Sequence, residues 1–144
     1  MKTIREILTG IPALTLPPTA TALDAAKSMQ EAHVGAVLVA DDGGQALGVF
    51  TERDLMKRVV VPGKAPESVR LQDVMTTDLF TSEPDARVND MAREMQARHI
   101  RHLPVVEGDK VLGVLSLRDL LRVHLDLKRD EVRALQAYIQ GEEG

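Results

Sequence analysis

The chain turns on a short stretch that occurs twice: Leu47-Gly48-Val49-Phe50-Thr51-Glu52-Arg53-Asp54-Leu55, and 65 residues later Leu112-Gly113-Val114-Leu115-Ser116-Leu117-Arg118-Asp119-Leu120. Each copy reads as an apolar strand running into a helix that opens on a hydroxyl residue and carries a carboxylate three residues on. That spacing suits a capping box, in which hydroxyl and acid satisfy the free amides of the first helical turn. It also suits a ribose-phosphate site, because helix N-termini attract phosphate and a carboxylate accepts hydrogen bonds from ribose hydroxyls. Thr21-Ala22-Leu23-Asp24 has the same spacing at a helix start with no ligand assigned to it, so the spacing alone implies only a cap. Repetition and the buried strand in front carry the rest.

The repeat extends outward from this stretch. Thr15 pairs with Thr81, Pro18 with Pro84, Asp24 with Asp90, Met29-Gln30 with Met95-Gln96 and His33 with His99, all at an offset of 66. The offset falls to 65 where Ala40-Asp41-Asp42-Gly43-Gly44 faces Val106-Glu107-Gly108-Asp109, a polar turn that tolerates a one-residue change. Two copies are too few for a solenoid and point to a pseudo-twofold pair.

Each copy is expected to form a β-α-β-β-α unit. A short strand (Ala13 to Leu16; Leu79 to Thr81) precedes a helix marked by Ala22, Ala26, Met29 and His33, or by Val88, Met91-Ala92, Met95 and His99. A hairpin follows, Ala36 to Ala40 with Ala46 to Phe50 and Leu103 to Val106 with Val111 to Leu115, apolar enough to be buried on both faces. The closing helices run from Thr51 to about Val60 and from Ser116 to about Leu127. The fold class is thus α/β (α+β), with two repeats packed sheet to sheet as one module, since about 60 residues alone bury too little surface. The expected organisation is a first repeat over 1–61, a linker over 62–68 held by two prolines and a glycine, a second repeat over 69–127, and a C-terminal part over 128–144. Within that part Asp130 to Gln140 is read as a further amphipathic helix docked on the body or a partner, and Gly141 to Gly144 as frayed.

Composition narrows the function. The chain has 144 residues, 44% apolar and 28% charged, with a formal net charge of −4. Only Phe50, Phe80 and Tyr138 are aromatic, so base-stacking platforms are missing, and the negative charge opposes binding to a phosphate backbone. No nucleic-acid partner is expected. There is no cysteine, and no apolar run long enough for a signal peptide or membrane helix, which reads as a cytoplasmic protein with no membrane partner. No Gly-x-Ser-x-Gly elbow or phosphate loop of the Gly-x-x-x-x-Gly-Lys type is present, and no nucleophile stands with a base, so the chain is read as not an enzyme. His99-x-x-His102 has no clear third ligand, and no metal is expected there. Repeated His33 and His99 are read as helix-end residues, and Met29 and Met95 as core.

The β-α-β-β-α order, Gly-Val-Phe-Thr-x-x-Asp and Gly-Val-Leu-Ser-x-x-Asp, and His102-Leu103-Pro104-Val105-Val106 resemble a tandem pair of cystathionine-β-synthase-type (CBS) domains, or Bateman module. The resemblance covers roughly Thr3 to Leu127 and is closest to small stand-alone prokaryotic members. It implies two clefts between the repeats that take an adenosine compound as regulatory ligand: AMP, ADP, ATP, NAD(H) or S-adenosylmethionine, with no cofactor required. By the same resemblance Asp54 and Asp119 hold ribose, and Thr51 and Ser116 hold phosphate. Arg101 and His102 are further candidates, lying in the densest basic cluster of the chain with Arg98 and His99, where the first repeat has only Gly35-Ala36. Thr76 and Thr77 stand where the family places a hydroxyl from the opposite repeat, with Thr9-Gly10 as the weaker counterpart. Such modules commonly form homodimers and pass occupancy on to a regulated protein, whose identity the sequence leaves open. Cover for Leu55, Val59, Leu120 and Leu121 on the closing helices also points to a dimer. A ligand-free dimerisation scaffold is the alternative, and the second copy, backed by Arg101, His102 and Pro104, is the first site expected to be filled.

Overall fold

The computed structural model describes residues 2–8 and 14–143. In chain order they form α1 (Ile4–Ile7), β1 (Thr15–Leu16), α2 (Ala22–Ala32), β2 (Ala36–Ala40), β3 (Ala46–Thr51), α3 (Glu52–Asp54, continuing as a π-helix over Leu55–Val60), α4 (Leu71–Val74), α5 (Val88–Arg98), β4 (His102–Glu107), β5 (Lys110–Ser116) and α6 (Leu117–Glu143).

The repeat is visible in the backbone. Thr21 and Asp24 close a capping box at the start of α2, and this bonding holds the Asp24 carboxyl below its ordinary range. Helices α2 and α5 both end on histidine in the left-handed conformation, His33 at φ 56° and His99 at φ 57°, and each His N–H caps the last carbonyls. The paired histidines are therefore helix ends, as expected, and they hold a backbone that most side chains avoid. Strands β2 and β3 pair antiparallel with Leu38 opposite Val49, and β4 and β5 with Pro104 opposite Val114. Both hairpins shift register at the matching place, Val39/Ala40 and Val105/Val106.

The leading strands differ. β1 pairs parallel with β2 through Thr15 and Leu16, whereas the strand expected over Leu79 to Thr81 is reduced to one parallel bridge, Ser82 with Val105. Ser82 keeps the ladder bonds to Pro104 O and Val106 N. Phe80 instead packs against the second core, with the Arg98 guanidinium 4.2 Å above its ring.

Two cores form, and each repeat lends its opening segment to the other. Leu71 and Val74 of α4 are buried with Ala22, Met29, Val37, Phe50 and Val59 of the first repeat. Ile4 of α1 is buried with Val88, Met95, Leu103, Leu115 and Leu120 of the second. Backbone bonds fix both crossings: Leu71 N to Ala20 O and Ala22 N to Val69 O on one side, Ile4 N to Ala86 O and Val88 N to Lys2 O on the other. Between the sheets Ala36, Leu38 and Val49 meet Val111 and Val114, so the repeats do pack sheet to sheet. The all-buried β2 reflects that double covering.

Three expectations are corrected at the closing helices. The C-terminal helix read over Asp130 to Gln140 is not separate, because α6 runs unbroken from Leu117 through Glu143, taking in Gly141; Gly144 lies outside the described residues. Lys128-Arg129-Asp130 are tolerated in helix and end nothing. Side chains from Lys128 to Gln140 are all exposed, including Val132, Leu135, Tyr138 and Ile139, so this part is not docked on the body. Finally, Val59 and Leu120 need no outside cover, since each is fully buried in its own repeat, and Leu55 is partly buried against the first core. Before Lys128, the large apolar residues exposed on or just after these helices are Met56, Val60, Val61 and Leu125.

Candidate functional site

Both repeated stretches fold as strand, then capped helix. Thr51 Oγ1 accepts from Asp54 N–H at 3.2 Å, and Asp54 Oδ2 accepts from Thr51 N–H at 3.1 Å. Ser116 and Asp119 make the same reciprocal bonds, both at 3.1 Å. In each case the first helical N–H returns to the residue before the neighbouring strand, Glu52 to Gly35 O and Leu117 to Arg101 O. The two helix starts are thus built alike on either side of a pseudo-twofold axis.

At that axis the repeats are not alike. Gly35 and Ala36 stand where the second repeat has Arg101 and His102. A Cβ on Gly35 would lie 2.5 Å from Glu52 Oε1 and 3.3 Å from His102 Nε2, so the glycine leaves the space that these two side chains use. His102 is half-buried, and burial pushes its imidazole below the ordinary value. Arg101 acts in the same direction, while the carboxylates of Glu52, Asp119 and Asp54 oppose it. His102 is therefore within electrostatic reach of the acids of both helix starts.

Thr76 arrives from the segment after α4. Its N–H and C=O exchange bonds with Val49 on the free edge of β3, both at 2.9 Å. Gly48 permits this approach, because a Cβ there would meet Thr76 O at 2.7 Å and Met75 Sδ at 2.8 Å. So seated, Thr76 Oγ1 donates to Asp54 at 3.1 and 3.2 Å. Asp54 is buried and Asp119 is exposed.

The structure thus joins Thr51, Asp54 and Thr76 in one bonded group and Ser116 with Asp119 in another, with His102 between. Thr77 is exposed and, among the described residues, is not joined to this group. Thr9 and Gly10 lie outside the described residues. Arg101 is exposed and lines a cleft of about 430 Å³ with Arg53, Met95, Gln96, His99, Ile100 and Leu117. A larger cleft of about 560 Å³, lined by Thr81 to Asp85 and Val106 to Gly108, touches neither motif. The smaller joins a first-repeat arginine to the second repeat's basic cluster. Reading by spacing missed Arg53, Glu52 and Arg58. Arg53 and Glu52 sit inside the motif, so their partial signal was present; Arg58 had none. Among the described residues no group of three or more His, Cys, Asp or Glu side chains is placed to hold a metal. No helix among them is long and apolar enough to cross a membrane.

Two interlocked α/β repeats, each with a capped helix start after a strand, define a tandem α/β module. The CBS domain model matches twice, at residues 4–61 and 71–126, and the chain belongs to that family as a tandem pair. It is 36% identical over 125 residues to the CBS domain-containing protein CBSX3, mitochondrial, of Arabidopsis thaliana, covering 84% of this chain and 61% of that protein. The chain spans about three-fifths of the length of that relative. Among solved structures, the CBS-domain containing protein ATU1752 from Agrobacterium tumefaciens superposes with a TM-score of 0.80 at 28% identity, covering 85% of this chain and 99% of the other. The CBS domain protein PAE2072 from Pyrobaculum aerophilum, solved in complex with AMP, gives 0.74 at 26% identity, covering 82% and 89%.

Proposed function

We propose that this chain is a regulatory module that binds an adenosine nucleotide between its repeats and passes occupancy to a partner protein. The observation that carries this reading is the pair of hydroxyl-and-acid helix starts set about His102, with Asp119 exposed and, among the described residues, bonded within its own cap. The AMP bound in PAE2072 supports the ligand class. In this reading Asp119 accepts from the ribose hydroxyls, Ser116 faces phosphate, and Arg101 and His102 supply positive charge beside it. Thr51, Asp54, Thr76 and Thr77 form the pseudo-equivalent place in the other repeat. AMP is the first candidate, ahead of ADP, ATP and NAD(H), with S-adenosylmethionine as the cationic alternative. The ligand acts by stabilising one arrangement of the repeats, and no chemistry on it is required.

A second reading, pairing with another copy, is favoured by the open apolar residues Met56, Val60 and Val61 on the first closing helix and Leu125 on the second. The two readings are compatible unless the clefts stay empty. Calorimetric titration with AMP, ATP, NADH and S-adenosylmethionine separates them: heat from one of these, lost in Asp119→Ala, is the expected result. No heat from any, with both proteins melting alike in their presence, removes the nucleotide reading and leaves the scaffold.

A further inference from the structure

The two acid motifs have equal spacing and unequal partners. A carboxylate offers about four acceptor positions. Among the described residues Asp119 uses one, for the Ser116 N–H. Asp54 accepts from Thr51 N–H, receives the Thr76 hydroxyl across both oxygens, and faces the Arg58 guanidinium, whose Nε is 3.7 Å from Oδ1.

Arg58 is one side chain that the second motif does not match. It lies four residues after Asp54 in the π-helical turn, and its Nη1 donates to Val74 O at 3.3 Å and Met75 O at 2.9 Å. Those carbonyls end α4, where the backbone has no helical partner and a cation is favoured. One guanidinium therefore ties the first-repeat acid to the segment that delivers Thr76. The matching position in the second repeat, 65 residues on, is Val123, which packs against the second core. No cation follows Asp119 at that place.

We propose that Arg58 is a latch on the first motif. By holding residues 74–76 against Asp54 it keeps that carboxylate occupied from within, so the chain takes one nucleotide, at Asp119, and leaves the Asp54 place closed. The identity of what binds rests on the nucleotide reading above; the latch itself does not. Arg58 is a positioning residue here, acting through Thr76 and the 74–76 backbone.

The test is Arg58→Val, which copies the second repeat, in the full chain. With AMP as the probe, calorimetry should give one site per chain in the wild type and two in Arg58→Val. Asp119→Ala should bind none, and Asp119→Ala with Arg58→Val should regain one. Two sites in the wild type, or one in Arg58→Val, overturns the latch. If neither protein takes up AMP, the nucleotide reading fails and amide exchange decides the latch without ligand. The Thr76 N–H should then exchange about tenfold faster in Arg58→Val, as loss of a charged hydrogen bond implies, with the Val106 N–H in the other repeat unchanged. Equal Thr76 exchange in the two proteins overturns it.

Discussion

Thr76 Oγ1 stands 3.1 and 3.2 Å from the two carboxylate oxygens of Asp54, although 22 residues and the repeat boundary separate them. The contact exists because α4 packs on the first core and lays the following residues along β3. It makes a helix cap into a link between repeats. Asp54→Ala should therefore cost more than Asp119→Ala, although both remove the same cap. Loss of a cap costs about 1 kcal/mol, and leaving the Thr76 hydroxyl without its acceptor adds about 1 kcal/mol or more. Urea midpoints of the two variants check this, and equal midpoints would mean that Thr76 adds nothing.

Gly48 and Gly113 occupy the same place in the two hairpins and should respond differently to alanine. At Gly48 the new methyl meets backbone, Thr76 O at 2.7 Å, together with Met75 Sδ at 2.8 Å. Among the described residues, at Gly113 it meets the end of the Leu8 side chain, at 3.0 Å, which can rotate away. Overpacking against backbone costs about 1–3 kcal/mol, so Gly48→Ala should lower the thermal midpoint by several degrees more than Gly113→Ala. It should also loosen the Thr76–Asp54 contact, seen as faster exchange of the Thr76 amide. A larger loss at Gly113 would contradict this account of the close approach.

Local signals explain why the repeat, both hairpins and the capped helix starts were legible. The hydroxyl-x-x-acid spacing is a local fact, and Thr21, Thr51 and Ser116 all cap as it implies. Continuous apolar runs marked strands covered on both sides. The bonds around Asp54 were only half legible. Thr76 stood out by its place in the repeat, but Arg58 reaches its carbonyl partners only after α4 crosses to the first core, and an arginine on a helix carries no mark of that. His102 was legible as a basic neighbour; that it fills the space beside Gly35 required both repeats in place. The missing strand before Ser82 and the unbroken α6 were misread for related reasons. A strand of two or three residues is decided by tertiary packing, and charged residues without Gly or Pro do not stop a helix.

Pairing of two copies is tested on the open faces of the closing helices. Met56 and Val60 lie one turn apart on the first, and Leu125 matches Val60 in the second repeat. Replacing Met56 and Leu125 by glutamate puts charge into any contact made there, where unpaired charge is expensive to bury. Sedimentation equilibrium should give the wild type at twice the 15.8 kDa chain mass and the double variant at the chain mass. A dimer that survives both substitutions would move the contact elsewhere, to the exposed stripe of Val132, Leu135 and Ile139 on α6.

His102 gives the chain a pH dependence whose sign reverses when an anion binds. Burial lowers the imidazole below its ordinary 6.5 in the folded chain, with Arg101 adding to the effect and Glu52, Asp119 and Asp54 opposing it. In the window between that lowered value and 6.5, the unfolded chain binds a proton that the folded chain does not. Stability contributed by neutral His102 is thus present above 6.5 and is lost as pH falls through the window, flattening below the folded value. Melting curves from pH 7 to pH 5 should fall less steeply for His102→Gln than for the wild type, since glutamine does not titrate. A phosphate placed beside His102 by a bound nucleotide favours the protonated ring. AMP affinity should accordingly gain, beyond the titration of the AMP phosphate itself, a component that rises as pH falls through the same window with proton uptake at the ring, and His102→Gln should remove that component. Affinity that does not change with pH, or the same profile in His102→Gln, would place the phosphate away from this histidine.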